Sequence, residues 1–333
     1  MRLGVLYNTV SSRFRLGCVA NFHWSTMASQ LPPPLIALLE SLSEEIRLQR
    51  FPAGALYVVA TPIGNLGDIS IRALSVLEMV DAVACEDTRN TGQLMKRYGL
   101  SKPMIATHQH NESEAAQKII ERLQRGERVA IVSDAGTPAI SDPGTRVVNA
   151  VMSEGLCVVP IAGPSAVAAA ISASGLSGEG FHFFGFLPSK DAQRDSALQA
   201  LSNSPAVLVF YEAPHRILDT VSAMRLVFGD QRRIVIAREL SKLFEQIYRC
   251  ALSEASAWLT SDTNRQRGEF VLLIEGAKPS DGESESMLEA RRLLTILLQE
   301  CSVSQAAALA AKITGVKKNT LYTMALDITH QQS

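Results

Sequence analysis

Residues 55–68 read ALYVVATPIGNLGD. The apolar, β-branched run Leu56–Ala60 stops at a turn of proline and glycine, and Ser70–Val80 then takes up helical spacing. A continuous apolar run is what a strand covered on both faces requires. Glycine in the turn lets the backbone approach a ligand with no Cβ in the way. Working outward, the unit repeats. Ala82–Cys85, Met104–Thr107, Val129–Ser133 and Cys157–Ile161 read as further strands, and Thr91–Tyr98, Ser113–Gln124 and Thr145–Ser153 as helices between them. This βαβ rhythm predicts a mainly parallel sheet with helices on both sides. Ligands of such sheets sit at the carboxyl ends of the strands.

Downstream the character changes. Phe181–Phe186, Ala206–Tyr211, Arg233–Ala237, Glu245–Cys250 and Phe270–Ile274 read as strands, with helices near Arg216–Phe228 and Ser253–Leu259. The short connection Arg238–Phe244 predicts an antiparallel pair, hence a mixed sheet. An alanine-rich helix, Gly163–Gly175, links the halves. AKPSDGESES (277–286) is a polar linker by composition. Beyond it, Met287–Glu300, Ser304–Thr314 and Asn319–Ile328 are helical, the last two flanking the turn Gly315-Val316-Lys317-Lys318. That arrangement resembles a helix-turn-helix; a plain helical cap fits it equally. The fold class is therefore α/β, with a parallel-sheet domain at 54–166, a mixed-sheet domain at 167–277, a linker at 278–286 and a helical unit at 287–330.

Residues 1–53 form an extension outside this pattern, partly disordered or the product of a misassigned start. Its first 26 residues carry Arg2, Arg13 and Arg15 and no acid, the composition of a transit peptide; the alternative is a true start at Met27. At 333 residues, 47% hydrophobic and 20% charged, the chain suits two domains with real cores plus a small unit. No apolar run reaches the roughly 18 residues of a membrane span. A formal net charge of −1 argues against coating nucleic acid by charge alone. Five scattered cysteines without a C-x-x-C pair indicate neither a disulfide framework nor a zinc site, and fit a reducing cytoplasm.

Four loops follow strands where a ligand would sit. Thr61–Asp68 (TPIGNLGD) is neither a dinucleotide fingerprint nor a phosphate loop. Cys85–Asn90 (CEDTRN) sets two carboxylates and an arginine at a strand end; Asp87 or Thr88 alternatively caps the next helix. Ser133–Gly144 (SDAGTPAISDPG) offers backbone donors, acceptors and acids that suit a sulfonium, an amino group or a carboxylate. Ala162–Ala166 (AGPSA) opens a helix whose free N–H groups suit a carboxylate or ribose.

In this order and spacing the four loops resemble the RsmI-type ribosomal RNA ribose methyltransferases of the tetrapyrrole methylase superfamily. FLP (186–188), FYEAPHR (210–216), ARELSKLFE (237–245), RGEFVLLIEG (267–276) and AAALAAKITGVKKNTLY (306–322) extend the likeness over residues 54 to 330. The resemblance implies the tetrapyrrole methylase fold and transfer of a methyl group from S-adenosylmethionine to the ribose 2′-oxygen of a cytidine in small-subunit (16S) ribosomal RNA. It implies a partner that is the RNA or the 30S particle, and a homodimer. The cofactor would lie between the domains against Pro62, Gly64, Ala135, Gly136, Thr137, Ile140, Ser165 and Ala166, with Tyr211 and Glu212 closing the site. The small-molecule enzymes carry Gly-Asp-Pro where this chain has Gly136-Thr137-Pro138, which disfavours a tetrapyrrole substrate.

In-line methyl transfer is accelerated by positioning, and a ribose hydroxyl gains from a nearby proton acceptor. Candidates are Glu86, Asp87, Asp134, Glu212 and Glu239. Glu86 or Asp87 is expected at the hydroxyl, with Arg89 on a phosphate. Asp87→Ala is expected to abolish turnover and spare cofactor binding. His108 and His110 are either a base or surface hydrogen-bonding residues, and their spacing supports no metal. Candidate RNA contacts are Arg216, Arg238, Lys242, Lys317 and Lys318, with Arg89, Lys96, Arg97, Lys190 and Arg194 at the rim. A tetrapyrrole methyltransferase and a non-catalytic S-adenosylmethionine-binding regulator remain as alternatives; a nucleotide hydrolase lacks its phosphate loop.

Overall fold

The computed structural model describes residues 33–108, 111–277 and 285–331. The readings made of residues 1–32, of His110 and of most of the 278–286 linker lie outside the described residues. Within the segment read as an extension stands a helix, α1 (Pro33–Arg47).

The first sheet is five parallel strands: β1 (Ala55–Val59), β2 (Ala82–Cys85), β3 (Met104–Ala106), β4 (Val129–Val132) and β5 (Cys157–Ile161), in spatial order β3-β2-β4-β1-β5. Between them run α2 (Ile71–Met79), α3 (Thr88–Arg97), α4 (Glu112–Gln124) and α5 (Thr145–Ser153). The strand period of two divides the side chains between two layers. Tyr57, Val59, Val83, Cys85, Ala130 and Val132 pack on α2 and α3. Leu56, Ala84, Val129 and Ile131 pack on α4 and α5. Each fully buried Leu, Ile or Val contributes about 1.5–3 kcal/mol, so covering both faces requires the continuous apolar runs of the sequence.

Two caps set helix starts. Ser70 Oγ accepts from Ala73 N at 3.0 Å, and Asp87 Oδ1 accepts from Arg89 N at 2.9 Å. The second cap makes α3 begin at Thr88, not at Thr91 as spacing alone predicts.

The strand order has a consequence for ligands. From β1 the chain passes over β4 to reach β2, and from β4 it passes over β1 to reach β5. The connections leaving these neighbouring strands cross on opposite faces of the sheet and leave a crevice at the strands' carboxyl ends.

Helix α6 (Ala166–Ser174) follows β5 and leads into the second sheet: β6 (Phe181–Phe186), β7 (Val207–Glu212), β8 (Arg233–Arg238), β9 (Gln246–Ala251) and β10 (Phe270–Ile274), in order β6-β7-β10-β8-β9. Only β6 and β7 run parallel; the other pairs are antiparallel, including β8–β9 across the short connection. One face carries Leu208, Phe210, Ile234 and Ile236 under α7 (Asp191–Ala200), α8 (Ile217–Phe228) and α9 (Leu252–Thr260). The other carries Val209, Tyr211, Val235, Ala237 and Val271, and packs on α6 and on Ile63 of the first half. Helix α7 escapes the sequence reading because only Arg194 and Leu198 of its residues are buried, too few to mark a period.

The C-terminal unit has its own core. Helices α10 (Glu285–Leu297), α11 (Val303–Thr314) and α12 (Lys318–Gln331) meet through Ala290, Leu294, Ala306, Ala310, Leu321 and Ala325. Gly315, at φ 72°, ends α11 in the left-handed region that glycine tolerates.

Candidate active site

Across the crevice, the loops after β1 and β4 are joined by a reciprocal backbone pair. Thr61 N donates to Gly136 O at 2.8 Å and Gly136 N to Thr61 O at 3.0 Å. Gly136 has φ 82°, and a Cβ there would stand 3.3 Å from Ile63 Cγ2. Ser133 Oγ donates to Gly136 O at 3.0 Å, and Thr137 Oγ1 to Pro164 O at 3.0 Å. The third and fourth loops are thereby tied together. A carboxylate in place of Thr137 would meet that carbonyl with no proton to donate, a physical reason for threonine at this point.

These loops form one wall of a cleft of about 590 Å³, part of it open to solvent. Its first-half lining is Ile63, Ala135, Gly136, Thr137, Ile140, Asp142, Ser165 and Ala166; Tyr211, Leu240, Glu269, Phe270 and Val271 face them from the second. The lining is mainly apolar, with a few convergent polar groups and the N-terminus of α6, whose N-cap Ser165 makes no side-chain capping bond and whose Val167 amide donates to the Tyr211 hydroxyl.

The halves also touch at the mouth. Asn65 N donates to Ser241 Oγ at 3.1 Å. Gly64 lies against Lys242 so closely that a Cβ would overlap its side chain. Lys242 Nζ in turn bridges Glu239 Oε1 at 3.0 Å and Glu269 Oε2 at 2.8 Å. Burial works against the Lys242 charge, but these carboxylates outweigh it and raise its pKa. Burial also raises the Glu269 pKa, and Lys242 only partly opposes it.

Of the residues expected to hold a cofactor, Ala135, Gly136, Thr137, Ile140, Ser165, Ala166 and Tyr211 line the cleft. Pro62 and Gly64 do not: Pro62 is buried and Gly64 serves the contact between halves. Glu212 follows Tyr211 on β7 and so faces the opposite side of the sheet. Its carboxylate accepts from Ala213 N at 2.7 Å and Thr220 Oγ1 at 2.6 Å, and Arg216 Nε stands 3.5 Å away. Glu239 is likewise committed, to Lys242 and to Glu269 N.

Asp87 and Arg89 satisfy each other. Besides capping α3, Asp87 accepts from Arg89 Nε at 3.2 Å and Nη2 at 2.9 Å, which holds its carboxyl well below the usual carboxylate range. A carboxylate so stabilised is a weak proton acceptor. The Arg89 side chain itself is 80% exposed. Asp134 Oδ2 accepts from Asn90 Nδ2 at 2.9 Å.

Several basic residues expected at the RNA are spent inside the fold. Arg238 is buried, donating to Arg267 O, Phe244 O and Gln246 Oε1, because it shares the helix-covered face with Ile234 and Ile236. Arg194 is buried against Asp191 and Asp195. Arg216 donates to Leu187 O and Pro188 O, and Lys242 is held as described. Lys96, Arg97, Lys190, Lys317 and Lys318 are exposed.

Asp142, read in the sequence only as one acid of its loop and given no role of its own, also lines the cleft. Burial first, then the negative charges of Glu86 and Asp134, push its pKa up to about 7. Burial, then Asp142 and Glu269, push Tyr211 up to about 12.

The family profile described as Tetrapyrrole (Corrin/Porphyrin) Methylases matches residues 55–256. Over 274 residues the chain is 53% identical to "Ribosomal RNA small subunit methyltransferase I" of Pseudomonas aeruginosa, covering 82% of this chain and 97% of that protein. The chain belongs to the small-subunit ribosomal RNA methyltransferase I family. The correspondingly named proteins of Escherichia coli O157:H7 and Haemophilus influenzae are 46% and 44% identical, each across 82% of this chain and 95% and 96% of their own lengths. Residues 285–329 match the profile "RsmI C-terminal HTH domain", which gives the helical unit the helix-turn-helix reading. Among solved structures, cobalt precorrin-4 methyltransferase, a cobalamin biosynthetic enzyme, superposes with TM-score 0.51 at 16% identity over 68% of this chain and 98% of its own. The methyltransferase CobJ gives 0.52 at 19% over 68% and 95%. At such identities the likeness shows the fold alone.

Proposed function

We propose that this protein transfers a methyl group from S-adenosylmethionine to the 2′-oxygen of a cytidine ribose in small-subunit ribosomal RNA. The observation that carries the reading is the cleft: three loops from the tips of one parallel sheet, tied to each other by Thr61–Gly136 and Thr137–Pro164, facing Tyr211 and Leu240 of the other half. The acceptor class is drawn from relatives named as ribosomal RNA small subunit methyltransferases at 44–53% identity.

The residues fit the donor. Gly136 lets the loop pack against Ile63 where a Cβ would crowd it, and Ile63, Ile140, Ala166 and Leu240 supply apolar walls for a flat ring system. The α6 amides and the Thr137 backbone suit its carboxylate and ribose hydroxyls. When bound, S-adenosylmethionine supplies a methyl group on a positively charged sulfur. The protein's own work is to bind and orient: the cleft holds the acceptor oxygen in line, and closure between the halves excludes water. Arg89, exposed and anchored by Asp87, suits a backbone phosphate at the rim, while Lys317 and Lys318 of the helical unit suit phosphates farther along the RNA. The same reading has the protein acting in the cytoplasm as a homodimer.

The test is methylation in vitro. Small subunits and naked 16S RNA from cells lacking this protein are incubated with tritiated S-adenosylmethionine, and the modified nucleoside is identified by mass spectrometry. A 2′-O-methylcytidine is the expected product. Label on a base, or on added uroporphyrinogen but not on RNA, contradicts the reading.

A further inference from the structure

The cleft holds one carboxylate that nothing else in the fold employs. Asp142 lines it with Ile140 on one side and Tyr211 and Glu269 across from it. Among the described residues it makes no hydrogen bond or ion pair. The titratable groups that face it are Glu86 from the end of β2, Asp134 from the end of β4, Tyr211 from β7 and Glu269 from just before β10.

Its backbone is held in place at a cost. Ala139 and Ser141 have φ of 65° and 62°, a region that is strained for a non-glycine residue and persists only where its surroundings impose it. The restraints are visible. Gly144 N donates to the buried Glu112 Oε1 at 2.7 Å, and Gly185 of β6 makes room for Ser141, whose Oγ would stand 2.7 Å from any Cβ there. Both halves of the molecule thus fix the segment that points Asp142 into the cleft.

We infer that Asp142 is the catalytic proton acceptor for the RNA hydroxyl, an inference that rests on the methyltransferase reading above. The ribose O–H bond breaks and its proton passes to an Asp142 carboxylate oxygen. The oxygen's freed electron pair forms the bond to the methyl carbon, and the old carbon–sulfur pair leaves with sulfur. One positive and one negative charge are thereby cancelled, and the proton later returns to solvent. An acceptor works best when its pKa lies near the working pH. Burial and the neighbouring carboxylates bring Asp142 there, whereas Arg89 takes Asp87 the other way.

The test uses the full chain with Asp142→Asn and Asp142→Glu. In the donor-free protein, ¹³C titration of aspartate carboxyls should show one resonance with a midpoint near 7, absent from Asp142→Asn. Calorimetry should give both variants an S-adenosylmethionine affinity within a few-fold of wild type. Single-turnover transfer by wild type should rise with pH through that midpoint and then level. Asp142→Asn should lose roughly 10²–10⁴-fold together with that rise, and Asp142→Glu should restore part of both. Wild-type rates and an unchanged profile in Asp142→Asn overturn the proposal and leave the methyltransferase reading intact. A loss confined to donor affinity also overturns it, assigning the carboxylate to the donor's cation. A wild-type chain that binds the donor yet methylates no RNA refutes the functional reading itself, and Asp142's role with it.

Discussion

Replacing Glu212 by alanine should unfold the second half of the molecule far more readily without touching the cleft. The carboxylate is 2% exposed and receives a backbone amide at 2.7 Å and a buried hydroxyl at 2.6 Å, with the Arg216 guanidinium beside it. Each hydrogen bond to a charged group is worth about 1.5–3 kcal/mol, and truncating one partner of a buried pair costs about 3–5 kcal/mol. The two figures describe overlapping losses, so about 3–5 kcal/mol is the whole effect. Glu212→Gln keeps the shape, accepts from Ala213 N and donates to Thr220 Oγ1, and should cost only about 1–2 kcal/mol. Trp258, stacked on Tyr248 at 4.3 Å, reports this half by fluorescence. With a urea slope of about 2 kcal/mol/M, the alanine variant's midpoint should fall by about 1.5–2.5 M. Donor affinity in Glu212→Gln should be unchanged. A Glu212→Gln protein as stable as wild type but impaired tenfold or more in donor binding would refute this account and return Glu212 to the cleft.

Arg238→Ala should lower stability through its three lost internal bonds and leave the salt dependence of RNA binding unaltered, as urea melts and filter binding at graded salt would show. Lys317→Ala with Lys318→Ala should leave stability alone and reduce the slope of log affinity against log salt by about 1.5–2. Folding raises the Asp142 pKa from 3.8 to about 7, so the folded chain holds that proton more tightly than the unfolded one. The stability this confers is complete below 3.8 and gone above about 7. Asp142→Asn should therefore gain in melting temperature over wild type as pH rises through that window, with a constant difference beyond it.

The framework of this molecule is legible in its sequence because buried parallel strands need continuous apolar runs and their turns need glycine and proline. Ala82–Cys85, Thr145–Ser153 and Phe270–Ile274 stand where their patterns put them. Partner choice is harder to read. Glu212 and Arg238 look like free charges at strand ends, yet the alternation that buries Phe210 and Ile236 buries them as well. That signal was present in the period of two, and the later Thr220 and Arg216 were its complement. Asp142 is a different case. Its neighbours Glu86 and Asp134 come from separate strand ends, and only the strand order β2-β4-β1 brings them together. Spacing along a chain carries no information of that kind.

Titration calorimetry of the purified chain with S-adenosylmethionine, and with the demethylated product, tests the cleft most directly. The account predicts saturable binding of one donor per chain, lost in Gly136→Val, where the added side chain meets Ile63 at a backbone φ of 82°. A folded wild-type chain that takes up neither compound, or a Gly136→Val chain that binds as well as wild type, would contradict it.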